Sequence, residues 1–302
     1  MNVEFGKISL NAEQSALLLK MNRVLPDLFA GLPTTLSASA ALFVQSHYAN
    51  NSIPRLLNFF DRYYSPAWTV LYWLYKLNAN MHASVLNSAV QAQALAMFLH
   101  MYDDHLSDGD IPIDHLHLQL RTHAWQSFMN LTALAGHDIP DFQYTQNALI
   151  NDYFAGVHYR SPVEDLATYE QRFRLQTATW IVMPTTLAIP LGGDFMADVR
   201  HAYETFALAW RYLDDLRDWQ TDAHNREHTA VYFLLNAEHR ELWRPGNATE
   251  LEIIIRQLTP MVKDRIDRYL MESAKTANRI GLPALAAEYE ALAAPLKMTT
   301  PE

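Results

Sequence analysis

Phe206-Ala207-Leu208-Ala209-Trp210-Arg211-Tyr212-Leu213-Asp214-Asp215-Leu216-Arg217-Asp218 runs from an apolar stretch straight into a block of acids. On an α-helix of about 3.6 residues per turn, side chains four apart share a face. Asp214, Asp218 and Asp222 therefore form a ladder, with Asp215 one step around. A second block, Asp103-Asp104-His105-Leu106-Ser107-Asp108, follows Leu95, Ala96, Phe98, Leu99 and Met101, and its spacing sets Asp104 over Asp108. Stacked carboxylates repel one another, where a solvated helix would alternate acids with bases. Such ladders are stable where a cation sits between the rungs. Oxygen ligands in a chain without cysteine favour magnesium (Mg2+), which keeps several waters and is shared between carboxylates and substrate phosphates. The expected ligand is a diphosphate. The plainer reading, two solvated helix ends with Asp108-Gly109-Asp110 leading into a turn, has to account for the same pattern arising twice.

Around these blocks the chain has 302 residues, half of them apolar and 12% aromatic, enough for a sizeable core and too many for a disordered chain. A formal net charge of −10 disfavours a nucleic-acid partner or an anionic membrane surface, so an anionic ligand needs a local source of cations. The absence of cysteine removes disulfides, zinc-thiolate sites and thiol catalysis. The start, MNVEFGKISLNAEQS, lacks the basic and apolar regions of a secretory signal, and the expected location is the cytoplasm. The longest apolar run, Ala178 to Gly193, is broken by Pro184 and Pro190 and falls short of the roughly 20 residues that span a bilayer. It predicts a buried core helix without stable membrane insertion.

Nine glycines in the whole chain, with apolar residues recurring at helical spacing, predict an all-α fold. The expected helices are Ala12–Leu25, Leu36–Ala49, Pro54–Tyr63, Pro66–Leu77, Ala83–Ser107, Ile113–Ala135, Phe142–Tyr159, Val163–Ile189, Ala197–Ala223, Ala230–Leu235, Ala248–Ile280 and Pro283–Leu296. Short breaks such as Gly109-Asp110-Ile111-Pro112 and Gly192-Gly193 separate them, and none is long enough for a linker. One helical domain over residues 1–302 is the simplest organisation.

At the acidic blocks the chain resembles the trans-prenyltransferase and class I terpene synthase superfamily, closest to its polyprenyl-synthase-like branch with class IB terpene synthases. Asp103–Asp108 and Ala209–Asp218 look like the two aspartate-rich motifs, and Asn225-Arg226-Glu227-His228-Thr229 falls where a short polar stretch with a basic residue follows the second. Gln176-Thr177-Ala178 is similar to the Lys-Thr-Ala motif, with glutamine in the lysine's place. The likeness runs from about Ala83 to Leu235. It implies a single-domain helical bundle with a central active-site cavity, where facing motifs hold three magnesium ions against a prenyl diphosphate. It also implies a homodimer of antiparallel bundles.

Departures from the family pattern steer the expected function. Chain-elongating members carry Gly-Gly-Lys-x-Arg near the N-terminus and an arginine pair soon after the first motif, for a second diphosphate. Here the chain after Asp108 reads GDIPIDHLHLQLRTHAW, and the first arginine is Arg121. The resemblance with these omissions implies a class I terpene synthase or cyclase that ionises one allylic prenyl diphosphate of C15–C20 length. The alternatives are a prenyl diphosphate synthase whose second site uses Arg55, Lys76 or Arg121, and a non-catalytic partner subunit.

In that scheme Asp103, Asp104 and Asp108 hold magnesium from one side, and Asp214, Asp215 and Asp218 from the other, with Asp103, Asp104, Asp108, Asp214 and Asp218 as metal ligands. The family's first acid corresponds to Asp103, while helix geometry pairs Asp104 with Asp108, and both registers stand. Arg172, Arg174, Gln176, Arg211 and Arg226 are the candidate diphosphate contacts, because a planar guanidinium suits such oxygens. For any one of Arg172, Arg174, Arg211 and Arg226 the competing expectation is a surface ion pair, for example with Glu170 or Asp165. Phe98, Tyr102, Trp180, Phe206 and Trp210 could line a pocket whose π-faces stabilise a carbocation, or could be plain core. Phe98, five residues before the first motif, sits where a bulky residue floors the family's pocket. None of the thirteen histidines falls in a Glu-x-x-His pair, which disfavours a di-iron bundle.

Overall fold

Every regular element in the structure, a computed structural model that describes residues 3–48, 56–158 and 162–297, is helical. In chain order these are α1 (Ala12–Ala30), α2 (Thr34–Tyr48), α3 (Pro66–Leu77), α4 (Ala83–Asp108), α5 (His115–Gly136), α6 (Phe142–Val157) and α7 (Leu166–Gln176). They continue with α8 (Ala178–Ala188), α9 (Gly193–Asn225), α10 (Ala230–Leu234), α11 (Ala237–Arg240), α12 (Ala248–Arg279) and α13 (Pro283–Ala293).

The differences from the sequence-based limits have local causes. The expected helix Ala12–Leu25 runs on through Pro26, because Leu28 and Phe29 beyond it are buried and packing outweighs the one hydrogen bond that proline removes. Val163–Ile189 is two helices: Thr177 leaves helical geometry at φ −90° and ψ 3°, its N–H turning to the Phe173 and Leu175 carbonyls. Of Pro54–Tyr63 only a 3-10 segment, Leu56–Arg62, is seen, and Pro54 lies outside the described residues, as do Ala49 and Tyr159. The short α11 went unforeseen because one turn carries too little periodicity to be read.

The described residues divide into two compact units. One comprises Ser9–Asn151 with Ala178–Met196, and its centre is α4, which packs along α5 and against α1, α3 and α8. Every residue of α8 is buried, as expected for a helix with no charged residue on any face. The other unit comprises Met1–Ile8, Asp152–Thr177 and Ala197–Glu302. In it α12 lies along α13, and α10 meets α7. Its N-terminal segment runs against α13, where the Gly6 N–H donates to the Leu292 carbonyl at 3.0 Å. A Cβ on Gly6 would come within 1.9 Å of the Ala291 carbonyl oxygen, so only glycine fits that approach.

Candidate active site

The first acidic block occupies the last two turns of α4, which stops where Gly109 enters the left-handed region at φ 80°. Helix carbonyls make that end electronegative, and carboxylates there are disfavoured by the dipole as well as by each other. Asp104 and Asp108 are exposed, one turn apart. Asp103 is different: it is 4% exposed, and one guanidinium takes both its oxygens. Arg121, on α5, donates from Nε to Oδ1 at 2.5 Å and from Nη2 to Oδ2 at 2.8 Å. Beside the block, His105 Nδ1 and His47 Nε2 share a hydrogen bond of 3.0 Å. Burial, with His105 alongside, holds the His47 imidazole below its usual pKa.

The three aromatic candidates of this unit are buried. Phe98 packs on Tyr102 with ring centroids 5.2 Å apart, and Trp180 lies against the rings of His100 and Tyr63. Burial raises the Tyr102 hydroxyl pKa, keeping it neutral, and it donates to the His117 carbonyl at 3.4 Å.

The second block lies within α9, and again one acid is buried beside an arginine. Asp215 is 2% exposed and accepts from the Tyr169 hydroxyl at 2.7 Å and the Ala230 N–H at 2.8 Å, with Arg211 Nε 2.9 Å away. Those contacts tie α7, α9 and α10 together. Arg211 also reaches the Tyr169 hydroxyl at 2.7 Å and stands 3.8 Å from Asp214. Asp214 is half-buried and Asp218 exposed. Burial, reinforced by Asp218 and Asp215, pushes the Asp214 pKa up to about 6 against the pull of Arg211. Asp222, the third rung, is buried beside Asp215 and pushed up to about 8.

Among the basic candidates, Arg172 and Arg174 sit on α7, each with a buried Nε that has no hydrogen-bond partner. The ion pairs that would make them ordinary surface residues do not form. Glu170 accepts instead from the Tyr212 and Tyr269 hydroxyls, both at 2.6 Å, and from Arg265 at 3.2 Å, while Asp165 caps α7 at the Thr168 N–H. Gln176 closes α7 where Gly156 of α6 approaches so closely that a Cβ would lie 2.6 Å from its backbone nitrogen. Arg226 directly follows α9 in the left-handed region at φ 60°, where glycine usually ends a helix. Phe206 is core, against Tyr203 and Tyr289, and Trp210 packs on Phe173, Ala207 and Leu208.

Sequence reasoning missed Arg121 as the partner of Asp103, and Tyr169 as the partner of Asp215. Both contacts join different helices, and spacing along the chain carries no signal for them. Of the residues considered for a second diphosphate, Lys76 is paired with Glu13 at 2.7 Å and Arg121 with Asp103, while Arg55 lies outside the described residues.

The donor set fits magnesium shared with a diphosphate. Among the described residues no three His, Asp or Glu side chains converge into a closed metal site. Magnesium needs no such cage, since one or two carboxylates suffice when phosphate oxygens and water complete the shell. Each block offers an i,i+4 carboxylate pair whose mutual repulsion a cation would relieve. No described helix is long and apolar enough to cross a membrane.

No protein-family model matches the chain, and no curated protein is significantly similar in sequence. Solved structures are similar over almost the whole length. A geranylgeranyl pyrophosphate synthase from Lactobacillus brevis superposes with a TM-score of 0.71 at 10% identity, covering 94% of this chain and 97% of that one. A heptaprenyl diphosphate synthase from Staphylococcus aureus gives 0.66 at 15%, covering 95% and 99%. A geranylgeranyl pyrophosphate synthase from Corynebacterium glutamicum, complexed with isoprenyl diphosphate and magnesium, gives 0.59 at 12%, covering 92% and 98%. The chain has the all-α isoprenoid synthase fold that these structures share.

Proposed function

We propose that this chain is a magnesium-dependent enzyme that ionises an allylic prenyl diphosphate and transfers the prenyl group to a second substrate. The observation that carries the reading is the repeated acidic device, an i,i+4 carboxylate pair beside a buried acid held by arginine, on a fold shared with prenyl diphosphate synthases. Those neighbours favour transfer over the one-substrate cyclisation that the missing basic motifs suggested. Both readings begin with the same step, heterolysis of the allylic C–O bond, whose electron pair leaves with the diphosphate.

Asp104 with Asp108, and Asp214 with Asp218, are the pairs that would hold magnesium. When bound, the metal neutralises charge developing on the leaving diphosphate. Arg172, Arg174 and Arg226 donate N–H groups to the diphosphate oxygens, and Arg211 stays with Asp215 as a support. The buried, unbonded Nε groups of Arg172 and Arg174 suit that task, because such hydrogen bonds strengthen where water is excluded. Phe98, Tyr102 and Trp180 exclude water and offer π-faces that stabilise positive charge without capturing it. In transfer, a new C–C bond forms to the acceptor's double bond, and the acceptor's proton passes to the departing diphosphate. We read both units as parts of one domain, place the protein in the cytoplasm and expect a homodimer, which light scattering would test.

A class I terpene synthase is the second reading, favoured by Lys76 and Arg121 being engaged with carboxylates. One experiment separates the two. Purified protein is incubated with magnesium and geranyl, farnesyl or geranylgeranyl diphosphate, with and without labelled isopentenyl diphosphate. Label in a longer diphosphate supports transfer, whereas a hydrocarbon or alcohol formed without isopentenyl diphosphate replaces transfer by the synthase reading. If neither product forms and pyrophosphate does not bind with magnesium in calorimetry, the enzyme reading falls and the partner-subunit reading takes its place.

A further inference from the structure

We infer that Asp103 and Arg121 form a positioning pair that sets the rotation of the last turns of α4, so that Asp104 and Asp108 alone of this block meet the ligand. The inference rests on the proposed diphosphate chemistry and narrows it. Three independent observations carry it. Asp103 is buried, and both its oxygens accept from one guanidinium in a two-pronged contact. Turning it toward a cation would break that contact and leave Arg121 against the cation. Helical phase is the second: five residues separate Asp103 from Asp108, a rotation of about 140° at roughly 100° per residue, so the two do not stack, whereas Asp104 and Asp108 do.

The third observation is that α9 repeats the arrangement. There Asp215 is buried beside Arg211, and Asp214 with Asp218 is the pair on the accessible side. In both blocks one acid serves the protein and an i,i+4 pair remains. Arg121 is thereby removed from the candidate diphosphate donors, since Nε and Nη2 are both engaged by Asp103. The α5 helix, which carries Arg121, becomes part of the apparatus that orients the first block.

Calorimetric titration of magnesium in the presence of inorganic pyrophosphate tests this on the full chain, with thermal melting measured in parallel. In Asp103→Asn the lone Arg121 charge is left beside the magnesium pair, and half-saturation by magnesium is expected to rise about tenfold, the scale of a supporting contact. In Asp103→Asn/Arg121→Gln that charge is gone while the two amides can still hydrogen-bond between α4 and α5, so the positioning contact is kept in neutral form and affinity is expected to recover to within about threefold of wild type, as coupling between two touching residues requires. Asp104→Asn is expected to lose at least as much as Asp103→Asn, with no recovery on adding Arg121→Gln.

A double variant that melts like wild type but binds as weakly as Asp103→Asn would make Asp103 a direct ligand and overturn the inference. Should the double variant not fold, Arg121→Gln alone decides. Weaker magnesium binding supports positioning, while unchanged or tighter binding, from a freed Asp103 joining the shell, overturns it. Wild-type protein that binds no pyrophosphate with magnesium overturns the proposed function together with this inference. Wild-type binding without the expected rescue removes this inference alone.

Discussion

The acidic blocks of α4 and α9 look alike in sequence, yet they are held in different ways. In α9 the supporting arginine lies one turn before the acid it holds, on the same helix, so forming α9 brings Arg211 beside Asp215; Tyr169 and the Ala230 N–H then seal the carboxylate from two neighbouring helices. In α4 the supporting arginine comes from the next helix, 18 residues on, and the contact exists only when α5 lies along α4. The second block is therefore partly built by local geometry, while the orientation of the first depends on a helix–helix interface. A third rung, Asp222, adds a buried carboxyl group to α9 that α4 does not carry.

The largest effects should treat the two i,i+4 pairs alike. Asp104→Asn and Asp214→Asn are each expected to reduce magnesium-dependent turnover of a prenyl diphosphate by about a hundredfold, the upper scale for disturbing a metal shell, with melting temperatures close to wild type. A loss confined to one of them would break the parallel between the blocks.

Stability should separate the supports. Asp215→Ala leaves Arg211 without its buried partner and is expected to cost about 3–5 kcal/mol in urea unfolding, the usual penalty for breaking a buried pair. Asp103→Ala should cost less, about 1–3 kcal/mol, because losing Asp215 also strands the buried Tyr169 hydroxyl and the Ala230 N–H that it accepts from. Equal losses would show that local and interfacial support are energetically equivalent.

The third rung predicts a pH dependence specific to α9. The Asp222 pKa of about 8 lies above the ordinary 3.8, so the folded chain keeps a proton that the unfolded chain releases between those values, and stability falls as pH rises through that window. Asp222→Asn removes the dependence at a slope of up to about 1.4 kcal/mol per pH unit. Its melting temperature should exceed wild type by more at pH 8 than at pH 5; a constant difference would count against a titrating Asp222.

The smallest effect concerns Arg226. Relieving its left-handed backbone with Arg226→Gly is expected to stabilise the fold by about 1 kcal/mol, while weakening magnesium-dependent pyrophosphate binding about tenfold, the cost of one charge-assisted hydrogen bond. A variant that gained stability and kept its binding would assign Arg226 to the helix end alone.

Several of these features were legible without coordinates. Helix content, the limits of α3 and nearly all of α4, and the carboxylate ladders follow from periodicity, since residues 3 to 4 apart on a helix share a face whatever surrounds them. The break at Thr177 was not legible, because Leu175, Thr177 and Ala178 each accept helical geometry and the pattern passes through them unbroken. The bland account of Arg172 and Arg174 as surface ion pairs was plausible from spacing and fails because two tyrosines and Arg265 reach Glu170 first.

The sequence by itself determined that this protein is helical and where its carboxylate pairs lie, because both depend on interactions within a turn or two of one helix. Only the tertiary structure decided which acid of each block is buried and held. Asp103 meets Arg121, and Asp215 meets Tyr169 and Ala230, through contacts that arise when separate helices pack, and no spacing within either block encodes which side faces a neighbour.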